Sequence, residues 1–300
     1  MIATLLVNGL VWGLLLALLA LGLSLTFGLT EVMNLAHGEF YMWGAVTGWF
    51  VVSSTGSFAL GAAASLCSGM VAGLVIERLL LRRVERQIAS SLILTFGLML
   101  VMQHLGLLVF GGSPRRLPAP DVLAGTFTLF GMGYPIYRLF LAGVCVTILF
   151  LFWVLVHRTR FGLWMRAVKQ DKNLALSQGV PVDVVYWITF GLGAGVASLA
   201  GLLAAPIVAV EFKMGVEILP LAFMGVILGG FGDFKGPVVA SICIGLIEGV
   251  LTAAFPPTAS RVLTLLFVSI LLLIWPDGLR VVVRRLFAPG LRKSLNRERA

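Results

Sequence analysis

The chain has 300 residues, of which 59% are hydrophobic and 12% charged, and a mean hydropathy of +1.04. Ordinary soluble domains are about 45 to 50% apolar, so a water-soluble fold would have no interior large enough to hide this much apolar surface. The net charge of +9 does not call for nucleic acid, because most basic residues sit in three short stretches beside hydrophobic segments, as cytoplasmic loops of membrane proteins do.

In chain order the apolar stretches are 2–29, 38–53, 57–77, 89–110, 135–156, 184–205, 218–232, 237–254 and 262–276. The longer ones match the roughly 20 residues that cross a hydrocarbon core of about 30 Å as a helix. The expected fold class is therefore all-α, a polytopic transmembrane bundle of about 8 to 10 spans, some short or broken, forming a single domain over residues 1–300. Met1 is followed at once by an apolar stretch, with no basic leader region or clear cleavage site, so that stretch is expected to stay in the mature protein.

Nine crossings put the termini on opposite sides. The loop with Arg78, Arg82, Arg83 and Arg86, the loop with Arg158, Arg160, Arg166, Lys169 and Lys172, and the tail after Arg280 then share one side with Lys235. The positive-inside rule makes that side the cytoplasm, with the N-terminus outside and the C-terminus inside. Arg115, Arg116, Arg138, Lys213 and Arg261 are left on the other side. Stretches 38–53 and 218–232 are short enough to be re-entrant or broken, and removing both preserves the parity. Residues 111–134, with Pro114, Pro118 and Pro120, read as a turn-rich outer loop, and the basic tail as lying against the anionic inner leaflet.

Small residues four apart recur at Gly9 and Gly13, Gly44 and Gly48, Gly69 and Gly73, Gly191 and Gly195, Gly225 and Gly229, and Gly245 and Gly249. Such pairs let helix backbones approach where lipid supplies no hydrophobic drive. Cys67, Cys145 and Cys243 each fall in an apolar stretch without paired spacing, which reads as buried small residues and not as a disulfide frame or metal site. The three histidines lie far apart and no nucleophile–base set clusters, so no catalytic residue and no metal site is expected. There is no Gly-Lys-Ser or Gly-Lys-Thr and hence no phosphate loop in this chain.

Three constellations carry the functional expectation. In GLSLTFGLTEVMNLAHGEFYMWG, Gly22 to Gly44, Glu31, Asn34, His37 and Glu39 interrupt an apolar helix just before Gly38 and the next apolar run. Either this is a plain cytoplasmic turn, or it is a broken helix whose dipolar ends serve a translocation path or hinge. In GVILGGFGDFKGP, Gly225 to Pro237, the glycines Gly229, Gly230 and Gly232 make a second break of similar outline, read as a sign of two parallel repeated halves. In the loop 157–183, Arg166 to Ser177 can form one amphipathic helix stopped by Gly179 and Pro181, suited equally to the membrane surface or to a groove on a cytoplasmic partner. Gln103, His104 and Glu248 are the remaining polar groups within spans, and Glu248 invites a functional hypothesis such as an ion-coupled carrier or channel.

The runs NLAHGEFYMWGA, RTRFGLWMRAVKQDKNLALSQGVPVDVV and AFMGVILGGFGDFKGPVVA, in this order and separation, resemble the branched-chain amino acid permeases of bacterial ABC importers over nearly the whole chain. Within that family the chain is more similar to the subunit that begins directly with a span. The resemblance implies an inner-membrane permease working with a second permease subunit, two cytoplasmic ABC ATPases that carry the ATP and magnesium, and a periplasmic or lipid-anchored solute-binding protein. It implies a small-molecule solute: a branched-chain or other hydrophobic amino acid or, as an alternative in the same family, urea, a short amide or a small carboxylic acid. It also turns the loop 157–183 into a cytoplasmic coupling loop that contacts the ATPase through Arg166, Ala167, Asp171, Ala175 and Gly179. Leu163 and Trp164 stand where many relatives carry a basic residue, so that contact is expected to be more apolar here.

Overall fold

A computed structural model describes residues 2–84, 88–129 and 132–274. Arg86 and the basic tail from Arg280 lie outside the described residues, as does the end of the predicted stretch 262–276. Among the described residues, nine long helices correspond one to one with the nine apolar stretches: α1 (Ile2–Thr30), α2 (His37–Thr55), α3 (Phe58–Leu79), α4 (Ile88–Phe110), α5 (Ile136–Arg158), α8 (Val182–Ala204), α9 (Met214–Gly229), α10 (Lys235–Leu251) and α11 (Pro257–Ile274). Two short helices, α6 (Arg160–Gln170) and α7 (Lys172–Ser177), fill the loop after α5. The loop between α4 and α5 holds a small antiparallel hairpin, β1 (Thr126–Leu129) with β2 (Met132–Pro135).

Among the described residues, α1, α3, α4, α5, α8 and α11 are long and apolar enough to cross a membrane. The chain is a multi-pass helical membrane protein. At 16 and 17 residues α9 and α10 are shorter, and α2 carries His37 and Glu39 in its first turn. Burial separates centre from rim. In α1 and α8, 83% and 78% of the most apolar window is covered by protein, against 17% to 28% in α3, α4, α5 and α11. A helix apolar all round and covered all round is a core element; one apolar all round and bare faces lipid or another subunit.

The packing has an internal two-fold character. Gly22 of α1 meets Gly193 of α8 at their crossing. Asn8 near the start of α1 accepts from Tyr134 (2.8 Å) and Arg138, and Leu203 near the end of α8 accepts from Tyr137 (2.7 Å), so the two helices run antiparallel. Gly9 and Gly13 of α1 pack on Gly245, Gly249 and Ile242 of α10; in the matching place Gly191 and Gly195 of α8 pack on Met70 and Leu74 of α3. Helices α2 and α9 abut at Gly38 and Gly215, the second residue of each. The repeated units are thus α1–α4 and α8–α11 in opposite orientation. This corrects the parallel halves expected from the two Gly-rich runs: the counterpart of the break before α2 is the segment before α9, residues 205–213, and not the run after it.

The cysteine expectation also needs correction. Cys145 is buried and Cys243 partly so, but Cys67 is exposed on the outer face of α3.

Candidate functional site

α1 ends at Glu31, whose φ of 56° turns the backbone into the left-handed region. The chain then runs back into the bundle: Val32, Asn34 and Ala36 are buried, and His37, the first residue of α2, places Nε2 3.2 Å from the carbonyl of Leu19, well short of the end of α1. Non-helical backbone at such depth has to be satisfied by protein. Thr95 of α4 supplies that, accepting from the Leu35 amide (3.2 Å) and donating to the Met33 carbonyl (3.0 Å), while Asn34 Oδ1 accepts from the Ala36 amide (3.0 Å). The first constellation is therefore a broken, re-entrant segment and not a plain turn.

The start of α2 faces the start of α9. A Cβ on Gly38 would lie 2.2 Å from the Gly215 carbonyl oxygen, and one on Gly215 would lie 3.0 Å from Glu39 Oε1. Glu39 is fully buried and neither of its oxygens has a hydrogen-bond partner; Asn34 Nδ2 is likewise unmatched. The carboxyl group sits where the starts of α2 and α9 converge. Asn34, His37, Gly38 and Glu39 are brought together at this point.

Gly229, Gly230 and Gly232 are elsewhere, at the far end of α9. Gly230 and Gly232 adopt φ of 96° and 70°, which only glycine takes readily. The turn they form packs on α1: Gly232 approaches Gly28, its amide donates to Ser24 Oγ (3.0 Å), and that hydroxyl donates to the Asp233 carbonyl (3.0 Å). Gly229 lies against Gly236 with no room for side chains. One rod, α9, with Pro220 inside it, links this turn to the Glu39 centre.

The loop 157–183 differs from the single amphipathic helix expected over Arg166 to Ser177. Asp171 takes extended angles (φ −156°, ψ 110°), ends α6 and caps α7, its Oδ1 accepting from the amides of Asn173 (2.8 Å) and Leu174 (3.0 Å). A capping side chain that competes for backbone amides favours a break over a continuous helix. Gly179 at φ 77° terminates α7, with the Val180 amide bonded to the Ala175 carbonyl. Arg166 donates to the Val156 carbonyl at the end of α5, and Lys169 donates to the Gly232 carbonyl (2.6 Å). Ala175 is buried and Ala167 partly buried. Of the five predicted coupling residues, all lie in or beside these two helices, but Ala175 points inward and Asp171 and Gly179 shape the turn. The exposed apolar side chains are Leu163, Trp164, Leu174 and Leu176.

Glu248 does not stand alone. Its Oε2 accepts from Trp12 Nε1 (2.9 Å), and Oε1 lies 3.7 Å from Arg261, which also pairs with Glu217 (3.1 Å). Sequence reasoning missed Trp12, Glu217 and Arg261 here; the one signal was that a carboxylate in an apolar helix requires a partner. Gln103 and His104 join neither centre, and His104 is exposed on α4 with Nδ1 2.8 Å from the Leu100 carbonyl.

The family model described as branched-chain amino acid transport system, permease component, matches residues 5–275, which takes in both breaks and the loop 157–183. The chain belongs to that family. This permease is 26% identical over 290 residues to the high-affinity branched-chain amino acid transport system permease protein LivH of Salmonella typhimurium, covering 91% of this chain and 93% of that one. It is 26% identical to the permease protein BraD of Pseudomonas aeruginosa, covering 91% and 94%. It is also 25% identical to the galactofuranose transporter permease protein YtfT of Escherichia coli, covering 86% and 75%. No solved structure matches the permease.

Proposed function

We propose that this protein is the membrane-spanning subunit of an ATP-driven importer for branched-chain or other hydrophobic amino acids. Nearly full-length similarity to LivH and BraD supports the solute class; a galactofuranose permease is also related, and urea, short amides and small carboxylic acids stand as the alternative. In this reading the permease pairs with a second permease subunit and two cytoplasmic ATPases, receives solute from a binding protein outside the inner membrane, and itself carries no catalytic residue or cofactor. The Arg-rich end, where Arg82 meets Asp183 (2.6 Å), faces the cytoplasm.

The observation that carries the proposal is the bond from Lys169 to Gly232. It ties α6 to the turn between α9 and α10, so a push on the exposed face of α6 and α7 moves α9, whose other end meets Gly38 and Glu39 in the middle of the bundle. A motor outside the membrane would thereby bias two packings of one bundle, with α9 as the lever and the Gly38–Gly215 contact as the gate. Helix-in-groove docking suits the exposed Leu163, Trp164, Leu174 and Leu176.

The test is reconstitution with the ATPases and the binding protein. Leu174→Asp with Leu176→Asp removes apolar contact without touching the Asp171 cap or Ala175, and solute uptake is expected to fall at least about tenfold, the equivalent of ~1.4 kcal/mol of docking energy, while the thermal midpoint stays unchanged. Unaltered uptake by that variant, or uptake with no ATPase present, would sink the reading.

A further inference from the structure

Two polar side chains of the re-entrant segment are covered by protein yet left unmatched. Asn34 is 1% exposed and Glu39 not at all. Among the described residues neither oxygen of Glu39 has a hydrogen-bond partner, and neither has Asn34 Nδ2. Both residues belong to one tight turn, in which the His37 amide donates to the Asn34 carbonyl (3.3 Å) and the Glu39 amide to the Ala36 carbonyl (3.0 Å). The cationic side chains nearby are engaged elsewhere. His37 turns Nε2 to the Leu19 carbonyl, and Arg261 pairs with Glu217 and Glu248. A buried carboxyl group without a partner destabilises the fold, so a chain that retains one has a use for the unfilled bonds.

What surrounds Glu39 accepts hydrogen bonds. A Cβ on Gly215 would lie 2.6 Å from the Gly38 carbonyl oxygen and 3.0 Å from Glu39 Oε1, and one on Gly38 would lie 2.2 Å from the Gly215 carbonyl oxygen. With no side chain at either position both carbonyls are bare at the joint, and each carbonyl has two lone pairs, of which a helix uses one. Pro220, inside α9, has no amide to give to the carbonyl of Val216, the neighbour of Gly215. A carboxyl group and several carbonyls therefore face one unmatched donor, Asn34 Nδ2. That set suits a compact cation with several N–H bonds, which is a primary ammonium. A divalent metal suits it less, since among the described residues no three carboxylate, histidine or cysteine side chains gather at one point.

We propose that Glu39 receives the ammonium group of the solute when α9 draws away from α2 at Gly38 and Gly215, with Asn34 Nδ2 donating to the solute's carboxylate. The proposal rests on the importer reading and narrows it to solutes that carry a primary amine. Urea, a simple carboxylic acid or a sugar brings no cation to the buried carboxyl group. When the two glycines close on one another they leave no room between the helices, so the same movement that covers Glu39 expels the ammonium.

The full chain in detergent, with no ATPase or binding protein, is heated with L-leucine, with 3-methylbutylamine, which lacks the carboxylate, or with 4-methylpentanoate, which lacks the amine. Millimolar concentrations are used, because a ligand that binds only the open joint has its affinity lowered by the open fraction. Leucine and the amine are expected to raise the thermal midpoint, and 4-methylpentanoate to leave it unchanged. Glu39→Gln should raise the leucine concentration for a half-maximal shift by at least about tenfold, and Glu217→Gln, at a half-exposed carboxylate on the same end of α9, should not. Equal shifts with all three compounds, or no shift with leucine, overturn the proposal whether or not the variants fold. An unaltered response in Glu39→Gln, or an equal loss in Glu217→Gln, overturns it as well. A negative result here leaves ATP-driven uptake to be judged by its own assay, and a failure of that uptake leaves the amine preference measurable.

Discussion

Glycine positions decide how close the helices come, and they differ sharply. A Cβ on Gly44 would lie 1.9 Å from the Ser198 carbonyl oxygen and one on Gly201 1.9 Å from that of Tyr41, whereas Gly97 and Gly143 have nothing within 4 Å. Gly44→Ala is therefore expected to lower stability by about 1 to 3 kcal/mol through overpacking. Gly97→Ala should leave it unchanged or raise it by up to ~1 kcal/mol through helix propensity, and thermal unfolding of the two variants in the same detergent distinguishes them. A second residue-scale expectation concerns Glu248. With Arg261→Gln its 3.7 Å partner is lost while the Trp12 bond remains. Loss of one member of a largely buried pair costs several kcal/mol, of order 3, and Glu248→Gln added to it should recover most of that, an interaction that a double-mutant cycle reads directly. Additive losses would mean that the pair contributes nothing.

At the scale of elements, the sequence located every long helix, because an uninterrupted apolar run of spanning length has few alternatives in a membrane. It also singled out the two short runs 38–53 and 218–232, and these are the regions of α2 and α9, which begin inside the bundle. It did not show that the chain climbs back along α1 before α2, since the Thr95 hydroxyl that satisfies Met33 and Leu35 lies some sixty positions away in sequence. The single helix expected in the loop 157–183 failed for a local reason. Periodicity favours one helix across Arg166 to Ser177, but Asp171 wins two amides by leaving the helix. Asp171→Ala should remove about 1 kcal/mol of cap energy and speed hydrogen exchange at the amides of Asn173 and Leu174. Unchanged exchange would show that α7 is held by Gly179 and the burial of Ala175 alone.

For the whole molecule, the division into two opposed halves about α1 and α8 places the loop 111–134 and the pair α6–α7 at opposite ends. In a cysteine-free background, Val122→Cys, at a side chain 92% exposed, should react with a membrane-impermeant maleimide in intact cells. Lys172→Cys should react only after the membrane is opened. The reverse pattern would turn the molecule over and remove α6–α7 from any cytoplasmic motor.

The sequence by itself determined that the chain is a helical membrane protein, where its spans lie, which family it resembles and which three stretches break the pattern, because hydropathy and glycine spacing are local properties written residue by residue. The tertiary structure alone decided what those stretches do: that Glu39 lies unpartnered between two helix starts, that Glu248 is paired, and that Lys169 grips Gly232. Each of these joins residues tens to hundreds of positions apart, and such pairings are fixed by which backbones the glycines allow to touch, a property of the packed bundle that no single segment contains.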